Sequence, residues 1–193
     1  MKKFPFIFLI LIAFLNGCAN NSPDSPRKLK ANESVYDNSK LKSGNFFYLM
    51  PGSWQKTTPT NPMRLEEYII DPTTQTILAV HYFEGMSGNI DSNLERWKKQ
   101  FVQDENFKEL ERTQFNKDGI PVTIYHLTGT YLESENPMDP NAAKSSRPEF
   151  SMITTAVELE NGTWFFKTYG PKNTIDPQRT RFDELIQTFR VED

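Results

Sequence analysis

The stretch MITTAVELENGTWFFKTY, residues 152–169, consists of two apolar runs separated by Asn161-Gly162. Asn-Gly between two such runs is the strongest short-range signal for a β-hairpin with a two-residue turn. Successive side chains of a strand point to opposite faces, and both faces of the second run carry aromatic rings. One face holds Trp164, Phe166 and Thr168, and the other holds Phe165, Lys167 and Tyr169. We therefore expect either a strand covered on both sides or a strand with one side open as an interaction surface.

The segments before this hairpin continue the strand pattern. Residues 108–116 and 120–132 predict a second hairpin, which turns at Lys117-Asp118-Gly119. Further strand-like runs, bounded by Pro, Gly or Asp turn residues, cover residues 46–50, 63–70 and 76–83. Strands joined by such short turns indicate an antiparallel sheet.

Two amphipathic helices are predicted beside this sheet. The first is marked by Ser92 and Glu95, which have capping-box spacing, and the second by Asp176-Pro177, an N-cap followed by proline at the first helical position. Their apolar stripes are Leu94, Trp97 and Phe101 in the first helix, and Phe182, Leu185, Ile186 and Phe189 in the second. An antiparallel sheet with amphipathic helices packed on it is an α+β fold, and we assign residues 45–193 to one such domain. Residues 134–149 are polar and contain three prolines, so we predict a long exposed loop there.

Composition excludes several classes of protein. The chain has 193 residues, one Cys, 37% hydrophobic residues and a formal net charge of −3. A single Cys excludes a disulfide-stapled mini-protein, and the moderate apolar fraction excludes a multi-span membrane protein. The negative charge argues against nucleic acid as a partner. We also predict no cofactor, because the chain contains no convincing cofactor-binding motif.

The amino terminus has the charge and length pattern of a secretory signal. Two lysines precede residues 4–15, an uncharged apolar run that is too short to span a membrane. The run leads into Leu15-Asn16-Gly17-Cys18, which resembles the lipobox of bacterial lipoproteins. The resemblance implies that residues 1–17 are a signal peptide, that cleavage falls between Gly17 and Cys18, and that Cys18 is lipidated.

Acylation of Cys18 would attach the chain to a membrane without a spanning helix, since each buried methylene contributes about 0.8 kcal/mol. Ala19 stands where an Asp would resemble an inner-membrane retention signal, so by that analogy we expect the outer membrane. Residues 18–44 are polar and show no period of 2 or 3.6. They predict a lipidated Cys followed by a flexible tether.

Two short motifs resemble PsbP-like domains. Residues 47–54, FYLMPGSW, are similar to the strand–Pro–Gly–x–Trp opening of that family, and residues 182–189, FDELIQTF, resemble its final helix. Residues 93–101 and 119–122 also resemble a set of uncharacterised bacterial envelope proteins. The resemblance implies an α/β/α sandwich, and because members of this fold group are typically non-enzymatic, it implies binding or assembly.

The sequence offers little that points to catalysis. His81 and His126 are the only histidines, and each lies in a predicted strand. If those strands were neighbours, the two imidazoles could meet and bind a metal, but no third ligand, HExxH or CxxC accompanies them. We therefore predict structural histidines, no metal site and no catalytic residue.

Aromatic and basic side chains are the remaining candidates for function. The candidate binding residues are Arg96, Trp97, Tyr131 and Tyr169. We expect a non-catalytic binding or assembly module, held at the membrane by its lipid, with an envelope or extracellular protein as partner. Two alternatives stay open. One is an envelope hydrolase, which a concave cluster of the histidines or acidic residues would favour, and the other is a surface-displayed adhesin-like protein.

Overall fold

The computed structural model describes residues 45–85, 89–135, 139 and 141–192, and most of these residues are in strands. The predicted signal peptide, lipidation site and tether lie outside the described residues. The strands are β1 (Asn45–Phe47), β2 (Gln55–Thr57), β3 (Glu66–Asp71), β4 (Thr76–Glu84), β5 (Lys108–Lys117), β6 (Ile120–Ser134), β7 (Lys144–Leu159), β8 (Gly162–Pro171) and β9 (Arg190–Glu192). The helices are α1 (Ile90–Lys98), α2 (Lys172–Ile175) and α3 (Arg179–Gln187), with a 3-10 turn over Asp176–Gln178. None of these helices is long and apolar enough to cross a membrane.

Seven strands form one antiparallel sheet in the order β2-β3-β4-β8-β7-β6-β5, and β1 pairs with β9 separately. Both predicted hairpins are confirmed. The β7–β8 hairpin closes with Leu159 opposite Gly162, and the β5–β6 hairpin turns through Asp118 and Gly119, which both have positive φ. The strands of the β7–β8 hairpin therefore lie inside the sheet, each with a neighbour on both edges.

An apolar cluster lies on each face of this sheet. The first, on what we call the closed face, includes Leu78, Val80, Val122, Trp164 and Phe166 of the sheet, Phe46 of β1, and Phe182, Leu185 and Ile186 of α3. The second, on what we call the open face, includes Tyr125, Leu127, Met152, Ala156 and Phe165 of the sheet, with Leu94 and Trp97 of α1. The predicted alternation along β8 is confirmed, because Trp164 and Phe166 belong to one cluster and Phe165 to the other.

The predicted loop over residues 134–149 is wrong at both ends. Ser134 is the last residue of β6, and β7 begins at Lys144, so that Ser134 pairs with Lys144. Pro148 does not prevent this pairing, because it falls within a register shift between Arg147 and Phe150, where a missing N–H costs no ladder hydrogen bond. The polar composition that suggested a loop belongs instead to a strand segment that is exposed to solvent.

Both predicted helix starts are also wrong. Asn89 caps α1, and its side-chain oxygen accepts a hydrogen bond from the Ser92 backbone N–H at 2.8 Å. The capping box at Ser92 is therefore not formed, since the helix has already begun at Ile90. Asp176 begins the 3-10 turn and does not cap α3, because α3 begins only at Arg179, after Gln178; the Asp176 carboxylate instead lies 3.0 Å from Nε2 of His126. The first helix thus begins before the predicted capping box, and α3 begins after the predicted N-cap.

Candidate binding site

A cavity of about 280 Å³ lies on the open face, between α1, β4 and β8. Three basic side chains reach it from three different parts of the chain, namely Arg64, Arg96 and Lys167. None of the described residues that line it is acidic. We call it the basic cavity. Its aromatic lining residues are Phe83, Trp97, Tyr131 and Tyr169, and His81 also lines it.

The floor of the basic cavity is formed by alternate side chains of β4 and β8. Lys167 of β8 lies opposite Ala79 of β4 in the antiparallel register, so both side chains point to the open face. His81 is two residues further along β4 and therefore points the same way. Trp97 of α1 packs edge-on against Phe165, with ring centroids 5.2 Å apart, and this contact holds α1 over one part of the floor.

Lys167 has an unusual environment for a lysine. Its Nζ lies 4.9 Å from the ring centroid of Trp97 and 5.1 Å from that of Tyr169, and it donates a long hydrogen bond of 3.4 Å to Gln100 Oε1. In the part of the chain that the structure describes, no carboxylate forms an ion pair with it. Burial, together with the positive charges of Arg96 and Arg64, lowers the pKa of Lys167 to about 7.

The two arginines differ in how their charge is balanced. Arg64 forms an ion pair with the buried Glu67, at 2.6 Å between Nη1 and Oε2. Burial opposes ionisation of Glu67, but hydrogen bonds from Arg64 and Thr60 outweigh it and hold the pKa of that carboxyl below its usual value. Arg96 donates to the neutral side chain of Asn93 at 2.6 Å and has no ion pair within the described residues. Positive charge therefore exceeds negative charge around the basic cavity.

His81 and Tyr131 stay uncharged near neutral pH. Burial lowers the pKa of His81, as do the nearby charges of Lys167, Arg64 and Arg96, although a hydrogen bond with the Met63 carbonyl opposes this. That bond, 2.9 Å from Nδ1 to the carbonyl oxygen, places the imidazole proton on Nδ1. Burial raises the pKa of Tyr131, whose ring stacks on Tyr169 with centroids 4.8 Å apart.

All four candidate binding residues named from the sequence, Arg96, Trp97, Tyr131 and Tyr169, line the basic cavity, together with His81. His126 does not. It lies on the other face of the sheet, and β8 and β7 separate its strand from that of His81. Burial lowers the pKa of His126 despite its contact with Asp176. The two histidines therefore do not meet, and the described residues contain no group of three His, Cys, Asp or Glu side chains that could hold a metal.

Sequence reasoning missed Lys167, Arg64 and Gln100 as contributors to the site. A signal for Lys167 was present, because it is the single charged residue in the run 163–171 before Lys172, flanked by Phe165, Phe166 and Tyr169. A charge inside an aromatic strand has to be compensated or functional. Arg64 carries no such signal, because it lies in the turn before β3 and reaches the basic cavity only through the pairing of β3 with β4.

The chain has no match among family models or among curated proteins. Among solved structures it is similar to the solution structure of cyanobacterial PsbP (CyanoP) from Synechocystis sp. PCC 6803. The TM-score is 0.53 at 14% sequence identity, over 89% of this chain and 100% of that one. It is also similar to the crystal structure of PA94, a protein of unknown function from Pseudomonas aeruginosa, with a TM-score of 0.43 at 11% identity, over 84% of this chain and 99% of that one. The first of these likenesses shows that the chain has a PsbP-like fold with antiparallel sheets.

Proposed function

We propose that this chain is an envelope lipoprotein whose domain is a non-catalytic binding module, and that the basic cavity binds a small organic anion. The observation that carries this proposal is the convergence of Arg64, Arg96 and Lys167 on one cavity without an acidic lining residue among those described. Uncompensated positive charge in a partly buried site costs free energy, and an anionic ligand would remove that cost.

The size and walls of the basic cavity restrict the class of ligand. A volume of about 280 Å³ is at the small end of ligand sites, so a metabolite-sized molecule fits better than a large one. Trp97 and Tyr169 present aromatic surface beside the basic groups. A carboxylate with a small planar or apolar body would satisfy both features.

The proposed location in the envelope rests on the sequence. The lipobox-like Leu15-Asn16-Gly17-Cys18 supports a lipid anchor, the polar residues 18–44 support a tether, and Ala19 supports the outer membrane. An envelope or extracellular protein remains the proposed partner for delivery or release of the ligand. The finer α/β/α sandwich is supported by the apolar side chains of α1 and α3, which belong to clusters on opposite faces of the sheet.

Binding is tested by titrating the domain with small carboxylates such as benzoate and propionate in a calorimeter. We expect saturable binding, and we expect it to be lost in Ala79→Leu, which fills the floor of the basic cavity while keeping every charge. Arg181→Gln is the matched control, because Arg181 pairs with Glu184 on the exposed side of α3. Equal binding by the wild type and Ala79→Leu would show that the anion binds elsewhere.

The anchor is tested separately by labelling cells with a radioactive or clickable fatty acid. We expect the full chain to be labelled and membrane-bound, and Cys18→Ala to be unlabelled and released. A Cys18→Ala chain that stayed with the membrane would contradict the proposed anchor, whatever the result of the binding test.

A further inference from the structure

The amine of Lys167 has the surroundings of a nucleophile. It lines the basic cavity, lies between the rings of Trp97 and Tyr169, and has no ion pair within the described residues. Lysines that act as nucleophiles in proteins are desolvated or placed beside another cation, because both conditions favour the neutral amine. Lys167 meets both conditions.

We infer that Lys167 captures small oxo acids in the basic cavity by forming a reversible imine with their carbonyl carbon. This inference rests on the proposed function, because the basic cavity must first admit an organic anion. It adds to that function a covalent step and a narrower ligand class, namely acids that carry an aldehyde or ketone beside the carboxylate.

The charged side chains of the basic cavity define how such an acid would be held. Arg96 has no carboxylate partner among the described residues, so its guanidinium is free to donate hydrogen bonds to the carboxylate of the ligand. Arg64 already pairs with Glu67 and contributes mainly its charge. Because Arg96 and Lys167 line the same small cavity, a ligand whose carboxylate binds Arg96 would have its adjacent carbonyl in the cavity that also holds the Lys167 amine.

The step balances without any further reactant. The lone pair of the neutral Lys167 amine attacks the carbonyl carbon, one amine proton is transferred to the carbonyl oxygen, and a carbinolamine forms. Loss of that hydroxyl as water and of the remaining amine proton leaves the C=N bond. We assign the role of proton carrier to His81, because it lines the basic cavity and its Nδ1 donates to Met63, which leaves Nε2 as an acceptor. Hydrolysis reverses the same steps and releases the acid.

Burial of Lys167, and after it the positive charges nearby, set the fraction of its amine that is neutral. The groups facing it are Arg64, His81, Arg96, Tyr131 and Tyr169. With a pKa of about 7, roughly half of the Lys167 amine is neutral at pH 7. An ordinary lysine with a pKa near 10.4 has less than about a thousandth of its amine neutral at that pH. The free amine is thus enriched about a thousandfold over a surface lysine.

The experiment uses pyruvate as the probe and sodium borohydride as the trapping reductant, with adducts counted by intact mass and located by peptide mapping. We expect one reduced adduct on Lys167 and at least tenfold less on any other lysine. Propionate, which has the acid but no carbonyl, should suppress the adduct. Acetone, which has the carbonyl but no acid, should give at least tenfold less.

Two lysine variants separate chemistry from charge. Lys167→Arg keeps the cation and should lose the adduct, whereas Lys172→Arg, which changes a lysine paired with Asp176, should keep it. Both variants are first checked by circular dichroism, and the propionate competition in the wild type gives a result that does not depend on either variant.

The outcomes distinguish the inference from the proposed function. Pyruvate that binds in the calorimeter but leaves no adduct on Lys167, or labels all lysines alike, would overturn the imine and leave the binding module intact. If none of pyruvate, propionate and benzoate binds, the proposed function fails. An adduct on Lys167 whose formation rate increases with pH and levels off above about pH 7 supports the inference.

Discussion

The closed and open faces of one sheet differ in how completely they are covered, and β8 contributes to both. Its Trp164 and Phe166 are fully buried on the closed face, against β1 and the α3 side of the core. On the open face Phe165 is equally buried under α1, but Lys167 and Tyr169 are only partly buried. A single strand can therefore supply both a core and a site, depending on where the helix above it ends.

The closed face is dense in aromatic contacts. Tyr48 meets Phe166 edge-on at 4.9 Å, and Trp54 meets Phe182 edge-on at 5.5 Å. Its buried charge is satisfied as well, because Glu66 accepts hydrogen bonds from two tyrosine hydroxyls and pairs with a lysine. A face of this kind is packed like a protein interior and contributes stability.

The open face gives up some of that stability. Arg96 and Lys167 share one small cavity without a carboxylate partner among the described residues. Lys167, which is partly buried, loses hydration there without gaining an ionic partner among the described residues. We interpret this cost as the mark of a binding site, and the following predictions test the contrast between the faces.

The largest expected effect is on the closed face. Phe166→Ala should reduce the free energy of unfolding by about 3–5 kcal/mol, because it leaves a cavity among rings that cannot collapse. Tyr169→Ala, in the same strand but on the partly exposed open face, should cost less than half as much. Urea denaturation followed by tryptophan fluorescence measures both. Similar losses in the two variants would show that the open face is packed as tightly as the closed one.

Lys167→Met should increase the free energy of unfolding, whereas the two substitutions above should decrease it. It removes a partly buried charge and should stabilise the domain by about 1 kcal/mol at pH 7 or below, while abolishing anion binding. The pKa of Lys167 is about 7 in the folded chain and about 10.4 in the unfolded chain, so the unfolded chain binds more protons between these values. Wild-type stability should therefore increase from pH 7 to pH 10, and this contribution should be absent in the variant.

Denaturation curves of the wild type and Lys167→Met at pH 6, 8 and 9.5 test this pH dependence. Lys167→Arg is the control, because it keeps a positive charge at this position and should therefore keep the destabilisation that Lys167→Met removes. A Lys167→Met protein that is less stable than the wild type at pH 6 would mean that the amine holds the open face together.

The same contrast was only partly predictable from sequence. The alternation of Trp164 and Phe166 with Phe165 predicted two apolar faces, but it left open whether both would be covered or one would be an interaction surface. The helix starts were not predictable, since Asn89 lies close enough to replace Ser92 as the cap. Which of the two residues becomes the N-cap depends on where the chain turns before the helix, and helix propensity does not determine that.

The candidate site was predictable through its rings and not through its charges. Trp97 and Tyr169 stood out because large aromatics on strands and helices near each other suggest a surface or a core. Arg64 did not, because nothing local distinguishes an arginine in a turn that faces a cavity from one that faces solvent. Lys167 could have been identified from the sequence, because a lysine flanked by aromatic residues in a strand indicates a charge that needs a partner or a function.

The two histidines provide a smaller and more local test. Burial lowers the pKa of both His81 and His126, so the unfolded chain binds more protons below about pH 6.5 and stability should fall as the pH falls through that range. An anion in the basic cavity should raise the pKa of His81, because it offsets the nearby cations. It should leave His126 unchanged, because that residue lies on the closed face beside Asp176.

Proton NMR of the two imidazole Cε1–H signals measures this directly, since the chain contains only these two histidines. His126→Asn assigns the signals. Equal shifts of both pKa values on addition of benzoate would indicate a general effect of the salt and not a ligand in the basic cavity.

The smallest effect on the free energy of unfolding is expected at the ends of β6 and β7, which contribute to neither apolar cluster. The ends of β6 and β7 extend beyond the core, and Arg147 there pairs with Glu133 at 2.7 Å, with both side chains about half exposed. Exposed ion pairs contribute about 0–1 kcal/mol, so Arg147→Ala should change the free energy of unfolding by no more than about 0.5 kcal/mol. Glu133→Ala should change the free energy of unfolding by a similar amount, and the double variant should lower it little further. Urea denaturation measures all three. A loss above about 2 kcal/mol would place this extension among the elements that stabilise the core, and the stability of the domain could then no longer be assigned to the two faces alone.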